Sequence, residues 1–466
     1  MDTGKSVALV GCLLVGGCAG PLGRSWDDPI YRDIRSRYQH RDETASRMSV
    51  ESEPTEPAEQ PLEGLRSLSV DDAIRVAINN APSLRRAGYR VDLAAGRVTQ
   101  AGLYPNPTIA FDGEGLGGAA GSGGETVYRV EQEILLGGKL DKARRVAEAD
   151  RLSAQAGFVA EEFAIASRVT RAYYAAVAAR ERLKNRRELL DLADRLLEAA
   201  TAQVDAGAAT EPDRLRAEIV QEQARIDHES ARLAYEASRR ALSAAMGLDE
   251  PIDLPLSSRA QRLPVLADQG TILEAALEDN TRITLAQLAI DRAQKAHVLA
   301  RAEAVPDLVV SAGPRYSDIE NETTLDVGVG IEVPLFDRNQ GNIRAALAER
   351  LSSAAALREV QLELISEVSR AYADYESALN AVDRYNERLL PKAERTLEMT
   401  RQAYERGKTD YLRLLDAQQV MVEARIAYVD ALQRLHEAAA LLRELAQDET
   451  PWRGSSAETE NGEYQK

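Results

Sequence analysis

The chain has 466 residues, 44% of them hydrophobic and 29% charged, with a net charge of −17. So acidic a chain makes a poor partner for nucleic acid. No run reaches the roughly 18 to 20 apolar residues of a spanning helix, so any insertion into a bilayer must use strands or a lipid.

Lys5 precedes a short apolar run, Val7–Val15, which ends in Gly16-Gly17-Cys18. A charged start, a short apolar centre and a small-residue end describe a signal peptide over residues 1–17. Val15-Gly16-Gly17-Cys18 resembles the bacterial lipobox. That resemblance implies that Cys18 becomes the lipidated, palmitate-bearing first residue of the mature chain; a plain secretory cleavage nearby is the alternative. By the same resemblance Ala19, where an aspartate marks inner-membrane retention, favours the outer membrane. Cys12 and Cys18 are the only cysteines, so the mature chain would hold no disulfide, which suits an oxidising compartment. Residues 18–66 then read as an extended arm, rich in proline and glutamate at Ser52–Pro61.

A first repeat is expected over residues 67–246. Ser69 is placed to cap a helix with Asp71 and Asp72 in its first turn. This helix breaks near Pro82 and runs to Leu103, where Tyr104-Pro105-Asn106-Pro107 stops it. Strands follow at about 108–116 and 125–136, around the glycine-rich loop 113–124, with Ile109 and Phe111 on one face. From Asp141 to Val204 only Gly157 interrupts a helix of about 64 residues, roughly 96 Å long. Leu183, Leu190, Leu197 and Val204 recur every seven residues, as in a coiled coil. The run Gly207–Pro212 turns the chain, and a helix returns through Leu215–Met246. Residues 247–268, with three prolines, form a linker.

The pattern then restarts as a second repeat over residues 269–446, before a polar tail at 447–466. Pro107 recurs as Pro306, Glu133 as Glu332 and Arg171-Ala172-Tyr173 as Arg370-Ala371-Tyr372, each 199 residues on. Gly207 recurs as Gly407, 200 residues on. So constant an offset marks a duplication, with a period far too long for a solenoid. Strands are expected at about 307–316 and 323–334. In the latter, Leu325, Val327, Val329 and Ile331 alternate with Asp326, Gly328, Gly330 and Glu332, giving one apolar and one polar face. Hairpins of this height suit a membrane barrel with apolar outside and polar inside. Four strands cannot close a barrel, and open edges do not survive in lipid, so several chains must share one.

Here the chain resembles the TolC-like outer-membrane efflux channels, over about residues 67–446. The resemblance rests on the duplicated layout, AGLYPNP before the first strand, Glu133–Gly138 ending the second, Val333–Gly341, and Tyr404–Gln418. Leu136–Lys139 looks closest to the heavy-metal cation branch. The resemblance implies a mostly α fold with a membrane β-barrel: a homotrimer with twelve strands and a coiled-coil helical tube reaching into the periplasm. It implies the exit duct of a tripartite pump, partnered by a periplasmic adaptor protein and an inner-membrane RND-type transporter. It also places the adaptor-docking tips at Gly207, Gly407 and Lys408, and a periplasmic gate at Tyr404, Asp410, Arg413 and Asp416. Some members carry an acid where Arg413 stands. A local Arg413–Asp416 pair is the simpler reading of that segment.

No catalytic motif, cofactor site or metal site is legible. His40, His228, His297 and His436 lack ligand spacing, and His228 and His436 read as solvated or interfacial helix positions. Multidrug efflux or type I secretion are alternatives within transport. A non-conducting coiled-coil lipoprotein is the alternative outside it.

Overall fold

The computed structural model describes residues 62, 65–114, 124–207, 209–257, 263–318, 320–406, 408–409 and 411–448. Cys18, Ala208, Gly407 and Asp410 lie outside the described residues, as do residues 1–17, expected to be a signal peptide, and the tail beyond 448. Among the described residues no helix is long and apolar enough to cross a membrane.

The first repeat opens with α1, Val70–Asn80. Ser69 caps it reciprocally: Asp72 N–H donates to Ser69 Oγ at 3.1 Å, and Ser69 N–H donates to Asp72 Oδ2 at 3.2 Å. Both partners satisfy amides that the first turn leaves open. Pro82 ends α1 and starts α2, Pro82–Ala101, at a position where its missing N–H costs nothing. β1 (Thr108–Glu114) and β2 (Glu125–Ile134) form the first hairpin. α3, Lys139–Asp205, then runs for 67 residues, about 100 Å at the helical rise. α4, Glu211–Ala245, returns alongside it.

The second repeat follows the same order. It comprises α5 (Gln269–Glu278), α6 (Thr281–Glu303), β3 (Leu308–Ser317), β4 (Glu322–Ile331), α7 (Gln340–Arg384), α8 (Leu390–Glu405) and α9 (Tyr411–Ala446). Each repeat has its own apolar core, and equivalent residues fill it. Ile165, Val169 and Leu242 of the first core correspond to Leu364, Val368 and Leu442 of the second. α3 packs on α1, α2 and α4 of its own repeat and on α6 and α9 of the other.

Both hairpins meet their long helix through a left-handed residue, but by different chemistry. Gly138, at φ 66°, precedes α3; Asn339, at φ 58°, precedes α7. Glycine and asparagine are the residues that tolerate this backbone. The Asn339 amide also donates to the Ala300 carbonyl at 2.7 Å, tying α7 to α6.

Several expectations need correction. β2 ends at Ile134 rather than 136, β3 covers 308–317, and β4 covers 322–331 rather than 323–334. Pro334 lacks an N–H for a ladder and closes off the last strand's extension. The heptad on α3 is only partly the buried seam. Leu190 is buried with Ala193 against Ala224, whereas Leu192 and Leu196 pack on Leu415 of α9. Two partners on different sides need two stripes, so one seven-residue series cannot describe the helix. The second long helix is not continuous: a π turn, Tyr385–Leu389, separates α7 from α8. Pro391 explains it, since its ring clashes with a carbonyl four residues back and the wider turn relieves that contact. His436 is buried at 5% exposure and stacked on Tyr174, 3.6 Å between ring centroids. Of the two readings offered for it, solvated or interfacial, it takes the interfacial one, between α9 and α3.

Candidate functional site: the sheet wall and the second helical turn

The four strands form one antiparallel sheet in the order β1-β2-β3-β4. The central pair joins the two repeats, Ile134 opposite Leu308 and Val130 opposite Ala312. Pairing lapses between Val127–Arg315 and Val130–Ala312. Pro314 has no N–H to give there, and a side chain on Gly313 would meet the Tyr128 carbonyl.

Register sorts the side chains into two faces. Ile109, Phe111, Tyr128, Val130, Val310, Ala312, Leu325, Val327, Val329 and Ile331 fall on one face. Ile109, Phe111, Leu325, Val327, Val329 and Ile331 are 55–81% exposed, so nothing in the chain covers them. The other face carries charge. Arg129 bonds Asp112 and, at 3.2 Å, Glu131. Arg315 bonds Asp326 and, at 3.0 Å, Glu125. Such a wall presents hydrocarbon to one side and paired charges to the other. Both β1 and β4 are open edges, whose unpaired backbone groups demand further strands in a dry medium.

At the far end of the helices, Gly207 stands at φ 71° and ends α3, the left-handed stop expected of it. Lys408 is exposed, and its N–H donates to the Ala403 carbonyl at 2.9 Å, closing α8. Tyr404 lies in the last turn of α8; Arg413 and Asp416 lie in the first turns of α9. Leu414, Leu415 and Ala417 are buried, which leaves Arg413 and Asp416 exposed on the opposite side. No Arg413–Asp416 ion pair is present among the described residues, so the simple local pair is not what holds this segment. Leu415 instead fastens it to α3 through Leu192 and Leu196.

The sequence profile of the outer membrane efflux proteins matches residues 73–248 and again 272–446, the same two repeats. The chain belongs to that family. It is 27% identical over 382 residues to the cobalt-zinc-cadmium resistance protein CzcC of Cupriavidus metallidurans, covering 82% of this chain and 90% of that one. It is 34% identical over 288 residues to the nickel and cobalt resistance protein CnrC of the same organism, covering 61% of this chain and 68% of that one. The crystal structure of CusC superposes with a TM-score of 0.67 at 19% identity, covering 85% of this chain and 98% of CusC. An outer-membrane efflux protein needs a wall of this kind, and the sheet supplies it.

Sequence reasoning missed the contacts that bind the two repeats behind the second turn. Arg425 of α9 bonds Glu188 of α3 at 2.8 Å. Arg182 of α3 bonds Asp430 at 2.6 Å and Gln433 at 2.7 Å. These partners lie some 240 residues apart in sequence, so no local spacing signals them. Each repeat also ties its long helix to the segment before it. Tyr173 donates to the Leu68 carbonyl and Tyr375 to the Pro264 carbonyl, both at 2.9 Å. Burial pushes the Tyr173 hydroxyl up to about 12 and raises that of Tyr375 as well.

Proposed function

We propose that this chain is the outer-membrane exit duct of a tripartite efflux pump, working as a homotrimer whose three sheets close a twelve-stranded barrel. The observation that carries this reading is the open four-stranded sheet, apolar on one face and charged on the other, continuous with helices of about 100 Å. α4 supports the oligomer: Leu215, Ile219, Ile226 and Leu233 form an exposed apolar stripe, three of them seven residues apart. A second copy is the natural cover for such a stripe.

The cargo is heavy-metal cations, a reading supported by relatives named for cobalt, zinc, cadmium and nickel resistance. Cys18 is the lipid anchor. The turns at Gly207 and at Gly407–Lys408 receive the periplasmic adaptor, which an RND-type transporter joins from the inner membrane. Tyr404, Asp410, Arg413 and Asp416 surround the periplasmic gate. The decisive experiment removes the gene and measures growth in cobalt, zinc, cadmium and nickel beside dyes and antibiotics. Sensitivity to the metals alone, restored by the intact gene, supports the proposal. Sensitivity confined to organic compounds reassigns the duct to multidrug efflux. Loss of a secreted protein with neither sensitivity reassigns it to secretion.

A further inference from the structure

A cavity of about 550 Å³ lies between α3 of the first repeat and α9 of the second, with Leu390 at one rim, directly after the π turn. That volume lies in the range of small-molecule sites. Val177, Ala178, Leu390, Val429 and Leu432 give it apolar walls.

Most of its polar groups are engaged. Glu181 and Glu188 each meet an arginine through one oxygen, Arg180 at 3.1 Å and Arg425 at 2.8 Å, and Gln433 Oε1 accepts from Arg182 at 2.7 Å. Three donors on the lining stand apart from these pairs. Asn185 is only 6% exposed, yet among the described residues its amide makes no hydrogen bond. The Lys184 ammonium has no ion-pair partner, and the Tyr428 hydroxyl no hydrogen bond, among the described residues. The Asn185 amide is therefore left to whatever fills the cavity. An ammonium, an amide N–H and a phenol on the lining of one cavity suit an acceptor that carries negative charge.

We propose that this cavity binds a small organic carboxylate with an apolar body, held by Lys184, Asn185 and Tyr428 and seated against Leu390 and Leu432. Such a ligand would touch both repeats at once. Nothing in the duct reading requires it, so either can fail alone.

The test uses the full chain, purified as its assembled oligomer in detergent, with benzoate as the probe. Benzylamine and benzyl alcohol share the ring but not the charge. Calorimetric titration should show benzoate binding, with benzylamine at least about tenfold weaker. Lys184→Met, at an exposed position that leaves the core intact, should weaken benzoate about tenfold and leave benzyl alcohol unchanged. Leu390→Trp should narrow the seat of the ring and weaken binding of all three. The proposal is overturned if benzoate and benzylamine bind alike, if Lys184→Met leaves benzoate unchanged, or if benzoate does not bind the assembled oligomer.

Discussion

Tyr173 shows how much of this fold hangs on single buried polar groups. Its hydroxyl donates to the Leu68 carbonyl, which also accepts the Ser257 N–H at 2.9 Å. Tyr173→Phe therefore leaves that carbonyl with a partner, and the expected cost is about 0.5–1.5 kcal/mol in urea melts at neutral pH. The hydroxyl's acidity is weakened to about 12, from an ordinary value of 10. A raised value means stability that is intact below pH 10 and lost as pH climbs to about 12, because the unfolded chain releases its proton first. The advantage of the parent over Tyr173→Phe should shrink across that window; a constant gap would show that Tyr173 titrates normally. Glycines give a second contrast of sign. Gly247 sits at φ 74° with a would-be Cβ 2.9 Å from the Asn80 carbonyl, whereas Gly157 inside α3 has open space around it. Gly247→Ala should destabilise by at least about 1 kcal/mol, and Gly157→Ala should stabilise by about 0.5–1 kcal/mol. Thermal melts of the two variants, moving in opposite directions, check both.

Among the elements, the strands were the most legible part of the chain. A period of two leaves a direct trace, and Leu325, Val327, Val329 and Ile331 sit on the face that alternation assigned them. The duplication was equally plain, since it needs only a constant offset. The π turn was hidden because a proline in a long helical run can be met by a kink, a break or a wider turn, and sequence does not choose among them. The bonds of Arg182 and Arg425 were hidden because they join different repeats. Of the residues proposed for the gate, Tyr404, Arg413 and Asp416 lie at one turn, but any role there depends on copies of the chain that no sequence displays. Register also refines a test of the wall. Gly328 and Gly330 share the charged face, yet a side chain on Gly328 would lie 2.6 Å from Ser311 Oγ, while Gly330 is open. Gly330→Arg is thus the proper counterpart of Val329→Arg. The outward arginine should cost about 2–4 kcal/mol at mid-membrane depth. Measured as assembled oligomer in the outer membrane, Val329→Arg should be depleted and Gly330→Arg near parental. Equal yields would reverse the assignment of faces.

For the whole molecule, the two free edges of the sheet dictate the assembly. β1 and β4 do not pair with each other in the four-stranded sheet, so in the proposed barrel β1 of one copy meets β4 of the next. Replacing both Cys12 and Cys18, the two cysteines of the sequence, makes a clean background for cysteines at Phe111 and Val327. A short bismaleimide should link copies into a ladder that stops at three. In the proposed trimer, closure would bring three copies of the second turn towards one axis. There the exposed Asp416 carboxylates would form a ring, attracting cations and repelling one another. On the proposed gate, Arg413, exposed on the same side of α9, would offset that repulsion across copies, and Tyr404 would latch them. Single channels in planar bilayers distinguish a gate from a plain helix surface. Asp416→Ala should lower cation selectivity, and Tyr404→Phe should raise the open fraction. If both variants conduct with parental selectivity and closed lifetimes, Asp416 is a surface acid, and the constriction is built from other residues.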